Sequence, residues 1–168
     1  KFFKAKKIEQ YGRHQSFNST EFSLEPDLKE SPGCLRDFQT ALWILEHCFE
    51  IYKLEDCVKT KLFKKVEIAG VKKSYSYIKF LRYILNLNSK SNRISFENQL
   101  LLAKKSKLKS SKKSSAVEKF MRAFFLHASN LSDFNEFVFQ AYEDQLSIFK
   151  KKYSTHYYIF KDRLGISD

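Results

Sequence analysis

Leu24 to Gln39 reads LEPDLKESPGCLRDFQ, and the rest of the chain is read outward from it. The stretch holds both prolines, one of only four glycines and six charged side chains. Proline pins the backbone and removes a donor, whereas glycine reaches angles that other residues resist. An elbow built this way holds Glu25, Asp27, Lys29, Arg36 and Asp37 in a set geometry. The same residues also describe a plain helix start, with Ser31 as N-cap and Pro32 at the first helical position. Either way a helical apolar pattern opens at Leu35.

From Pro32 to about Lys53, residues Leu35, Phe38, Leu42, Leu45 and Phe49 fall at three- and four-residue steps, which predicts a buried helix. Leu54 to Val58 reads as a short helical turn. Glu67 to Leu87 is a second long helix, with Ile68, Val71, Tyr75, Ile78, Leu81 and Leu85 on one face. Ala116 to about Phe149 carries the longest stripe, from Val117 through Phe120, Phe124, Leu131, Phe134 and Val138 to Leu146. Ser115 and Glu118 are spaced for a capping box at its start. Before the elbow, Phe2 to Ser16 is a helix with a thin apolar stripe, and Phe17 to Ser31 is irregular. Thr20 to Leu24 alternates and predicts a short extended piece, and Pro26 biases Glu25 away from helix. Tyr153 to Ile166 is aromatic and partly alternating, the pattern of a connector or a strand. His47 reads as a helix-surface or packed residue with no partner ligand at metal spacing, and His127 as a packed one.

Composition agrees with an all-α fold. The chain has 168 residues, four glycines and two prolines, so tight turns are few, while 43% hydrophobic and 16% aromatic content argues against disorder. No apolar run approaches the length of a membrane span. Cys34, Cys48 and Cys57 are an odd set at spacings unlike a zinc site, which suggests reduced thiols and a cytoplasmic setting. The chain begins at Lys1, and we expect a piece of something longer. The net charge of +12 allows nucleic acid, acidic partners or nucleotide phosphates. Lys104 to Ser115 (KKSKLKSSKKSS) reads as a solvated loop. Its lack of stacking aromatics, and the spread of charge elsewhere, count against nucleic acid.

Glu25, Pro26, Asp27, Lys29, Ser31, Pro32, Gly33, Leu35, Arg36 and Asp37 together resemble the E-P-(N/D)-x-K-x-S-P-G-G-L-R-D signature of the bacterial PII uridylyltransferases. Lys7-Ile8-Glu9-Gln10, Arg13-His14-Gln15 and Thr20 resemble the run that precedes it. Asn92 to Gln99 resembles the family's D-R-L-x-F-x-x-Q turn, with Arg93 and Gln99 as tethers between helices or substrate contacts. Val117 to Arg122 with His127-Ala128 resembles its V-E-x-F-M helix. Cys34 replaces the second signature glycine and would be strained if that position needs positive φ.

The resemblance implies an all-α bundle of four to five helices with two long antiparallel members, similar to the substrate-binding domains of nucleotidyltransferases. It implies three parts. Residues 1–31 would be the tail of a nucleotidyltransferase core and the signature loop, 32–149 the bundle, and 150–168 a connector toward a further domain. The parent of such a domain attaches UMP from UTP to the PII signalling protein and removes it under glutamine control, with Mg2+. The partners implied are PII and the adjoining nucleotidyltransferase domain. The resemblance implies nucleotide or charge contacts for Arg13, Lys29 and Arg36, oriented by Glu25 and Asp27, with Asp37 pairing inside the loop. The chain has no Gly-Ser dipeptide, no Asp-x-Asp and no His followed by Asp. Paired carboxylates are what hold magnesium on a triphosphate, so neither catalytic centre is expected in this segment. Three rivals stand beside this reading: a basic nucleic-acid-binding module, an inert relic of the same family, and a domain of the related adenylyltransferase that modifies glutamine synthetase.

Overall fold

The computed structural model describes residues 1–111 and 114–164, with side-chain surroundings through Ile148. Among the described residues six helices follow one another: α1 (Phe2–Gln15), α2 (Leu35–Phe49), α3 (Asp56–Lys59), α4 (Lys65–Ser89), α5 (Phe96–Lys105) and α6 (Ala116–Leu164). The fold is all-α, and among the described residues no strand occurs, only a single antiparallel bridge between Asp27 and Arg93. The expected extended piece at Thr20–Leu24 is therefore irregular chain. The count exceeds the expected four to five because α5, ten residues long, lies where the sequence suggested a turn running into a loop.

The central pillar is α6, which packs against α2, α4 and α5. α4 and α6 run antiparallel, with Ser74 bonded to His127 and Asn130 and, further back along α4, Val71 and Glu67 beside Asn130 and Asp133. Phe38 of α2 stacks on Tyr75 of α4 at 4.3 Å between ring centroids and meets Phe134 of α6 at 5.9 Å, so three helices join at one aromatic point. Ile44, Leu45, Ile78, Leu81, Leu85, Leu102, Phe120 and Phe124 complete the interior. Burial of such side chains is worth about 1.5–3 kcal/mol each, which is what holds these helices together. α1 joins the same core through Phe3, which packs on Phe139 and Tyr142.

Helix ends follow local chemistry. α2 starts at Leu35, later than Pro32, because Ser31 to Cys34 form a turn in which Cys34 N donates to Ser31 O (3.1 Å). It stops at Glu50, in the left-handed region at φ 57°, where Ile51 N turns back to Leu45 O. At the start of α6, Ser115 Oγ accepts from Glu118 N (3.0 Å), the first half of the capping box. The strand considered from Tyr153 is not formed, and α6 continues to Leu164. No glycine or proline interrupts 116–164, so nothing there breaks the helical hydrogen-bond ladder. Lys112 and Lys113 of the basic run, and residues 165–168, lie outside the described residues.

Candidate functional site: the charged elbow

The elbow is braced at its base by the strand-like pairing with residues 92–94. Leu28 N donates to Asn92 O (2.8 Å) and Ile94 N to Pro26 O (2.9 Å). Glu25 completes this tie, since its carboxylate accepts from Arg93 Nη2 (3.0 Å) and from Phe96 N (3.0 Å), the first residue of α5. Gln99 donates to Leu24 O (2.9 Å). Arg93 and Gln99 are thus inter-element tethers. Within the loop, Asp27 Oδ1 accepts from Lys29 N and Glu30 N, both at 2.8 Å, and Asp27 N donates to Ser31 Oγ (2.9 Å). Such a self-bonded aspartate fixes a turn from inside.

Asp37 is fully buried and joins three segments. It accepts from Arg13 Nη2, lies 2.9 Å from His14 Nε2, and accepts from Gly33 N (2.7 Å). Its backbone carbonyl accepts from Asn135 Nδ2 of α6 (2.8 Å), and Asn135 also bonds Gln10. Three donors around one buried carboxylate satisfy the rule that a buried charge needs partners. Gly33 explains why the loop lies so close to α6. It has φ 69°, and a Cβ placed on it would sit 2.2 Å from Ala128 O. The first signature glycine is therefore required by both backbone angle and space. Cys34 takes φ −102°, which any residue adopts, so the second position carries no strain. Burial pushes the Cys34 thiol well up, aided by Asp37 and Asp27, and Cys57 is pushed up to about 11 chiefly by burial.

The outward side of the elbow carries Lys29, Glu30 and Arg36. Lys29 Nζ and Arg36 Nη2 both reach Glu30 Oε1, at 2.9 and 3.4 Å. Burial works to raise the Glu30 carboxyl, and the hydrogen bonds from Lys29 and Arg36 outweigh it, leaving it below its ordinary value. The six residues singled out in the sequence thus fall into three groups. Lys29 and Arg36 converge on the surface, Arg13 and Asp37 pair in the interior, and Glu25 and Asp27 brace the backbone. Glu30 and Asn135 were not singled out, and His14 entered only through the run that resembles the family's. Asn135 was legible as a polar residue inside the apolar stripe of α6. Glu30 was not, because no helical or strand spacing links positions 29, 30 and 36.

The donor set does not fit magnesium. Glu25, Asp27, Glu30 and Asp37 are each engaged by hydrogen-bond donors, and among the described residues no three His, Cys, Asp or Glu side chains are placed to hold a metal. Among those residues, too, no helix is long and apolar enough to cross a membrane.

This all-α scaffold with a proline-bounded, carboxylate-locked elbow has clear relatives. Residues 1–139 match the family described as GlnD PII-uridylyltransferase. A bifunctional uridylyltransferase/uridylyl-removing enzyme of Hydrogenovibrio crunogenus is 31% identical over 151 residues, 86% of this chain and 17% of that protein. Those of Pseudomonas aeruginosa and Xanthomonas campestris pv. campestris are 32% and 34% identical, over 85% and 86% of this chain and 16% and 17% of theirs. The chain belongs to the GlnD PII-uridylyltransferase family. It spans about a sixth of the length of these relatives. No solved structure matches it.

Proposed function

We propose that the chain is the helical domain that backs the nucleotide cleft of a uridylyltransferase acting on PII in the cytoplasm. It holds the elbow against a neighbouring nucleotidyltransferase module that supplies the metal ligands and the transfer chemistry. In this reading Lys29 and Arg36 meet the phosphates of UTP, Glu25 and Asp27 hold the loop that presents them, and Arg13 and Asp37 fasten that loop to α1. Neither the transfer nor the removal of UMP is run by these residues alone, since the chain has no Gly-Ser with paired aspartates and no His-Asp pair.

The observation that carries the reading is the convergence of Lys29 and Arg36 on one oxygen at the rim of a loop locked from beneath. Arginine and lysine that meet at a point suit a phosphate oxygen, through charge-assisted hydrogen bonds. The test is UTP affinity and PII uridylylation by the protein expressed from its own start codon to its own stop. Lys29→Ala with Arg36→Ala should weaken UTP binding at least tenfold. Unchanged affinity and turnover would remove the two residues from the site.

A further inference from the structure

The two cations that face outward are not free, and their occupant is part of the chain. Arg36 N donates to Lys29 O (2.8 Å) and Leu35 N to Leu28 O (3.1 Å), so the backbones carrying Lys29 and Arg36 are tied side by side. Lys29 N and Glu30 N are fixed in turn by Asp27 Oδ1. The pair is therefore rigid at its base, and the Glu30 side chain closes it at its tip, with Oε1 shared between both cations.

We infer that Glu30 is an internal counter-ion of this pair, displaced when a polyphosphate arrives, and that it selects multiply charged phosphates over single-charge anions. The inference rests on the reading above and deepens it. A tethered carboxylate competes at the effective concentration its short link imposes, in the millimolar range or higher. Chloride or a lone carboxylate offers one charge and gains little over the group already there. A triphosphate offers several charges and several acceptor oxygens to the same two donors, so it displaces Glu30 where the others do not. Displacement is feasible because the three side chains are only part-buried, at 36%, 30% and 26% exposure for Lys29, Glu30 and Arg36. Partly exposed ion pairs of this kind are weak.

The experiment uses the same full-length protein, with UTP as probe and sodium chloride as competitor. Glu30→Gln keeps the shape and removes the charge. It should tighten UTP binding about two- to fivefold, the range that such weak pairs set, and make that binding markedly more sensitive to chloride at constant ionic strength. Unchanged or weaker binding by Glu30→Gln, while Lys29→Ala with Arg36→Ala still loses affinity, overturns the counter-ion role and leaves the phosphate site standing. If the double variant binds UTP like the parent, the phosphate site itself is wrong and the counter-ion role falls with it.

Discussion

At the scale of single residues, Gly33 and Asp37 carry the most. Gly33 combines a left-handed backbone with contact against Ala128 O, so Gly33→Ala meets strain and overlap together. The expected loss is about 2–4 kcal/mol, combining the ranges for a forced backbone angle and an overpacked contact. A urea titration that shows a lower midpoint with an unchanged slope checks it. Asp37→Ala leaves the largely covered Arg13 guanidinium without its carboxylate, and Gly33 N without an acceptor. That should cost about 3–5 kcal/mol, also read from the denaturation midpoint. The importance of these two was partly written in the sequence, since both belong to the signature. What the sequence could not give was their separation from Lys29 and Arg36. Charge type and spacing along a loop do not reveal which side chains turn inward.

At the scale of helices, stripes were legible wherever they were long. α2, α4 and α6 appear where the three- and four-residue steps put them, and the ends of α2 and α4 shift by a few residues because turns and left-handed caps decide termini. α5 was hidden because its last turn runs into the lysines of the serine-rich segment, so composition masked the buried Leu102 and Ala103. The continuation of α6 was missed because aromatic alternation was weighed above the absence of a breaker. Two tests belong here. Gly12 sits within α1 with nothing inside 4 Å of a Cβ built on it, so Gly12→Ala should stabilise by about 0.5–1 kcal/mol through helix propensity. An unchanged or lower midpoint would contradict that. Between α4 and α6, burial lowers the pKa of His127, with Lys73 acting the same way. The unfolded chain binds this proton near the ordinary value of about 6.5 and the folded chain only below it. Stability contributed here is therefore lost as pH falls below about 6.5. The difference in stability between parent and His127→Gln should change between pH 7 and 5 in that sense.

At the scale of the molecule, charge dominates. Lysine and arginine outnumber aspartate and glutamate by 31 to 19, and apart from Arg13–Asp37, ion pairs such as Lys59–Asp56 and Arg93–Glu25 sit at the surface. Surface pairs are worth little, whereas a large net charge repels itself. Raising sodium chloride from low to moderate concentration should therefore raise the melting temperature, and a fall would mean the pairs outweigh the repulsion.

The grip of the elbow on α6 has one more result. Ala128 closes on Gly33, Asn135 holds the carbonyl of Asp37, and α2, α4 and α5 all lie against the same pillar. None of these bonds depends on the peptide link that joins α5 to α6. A chain cut once in the link between α5 and α6 is therefore expected to hold together, its two pieces eluting as one species in gel filtration.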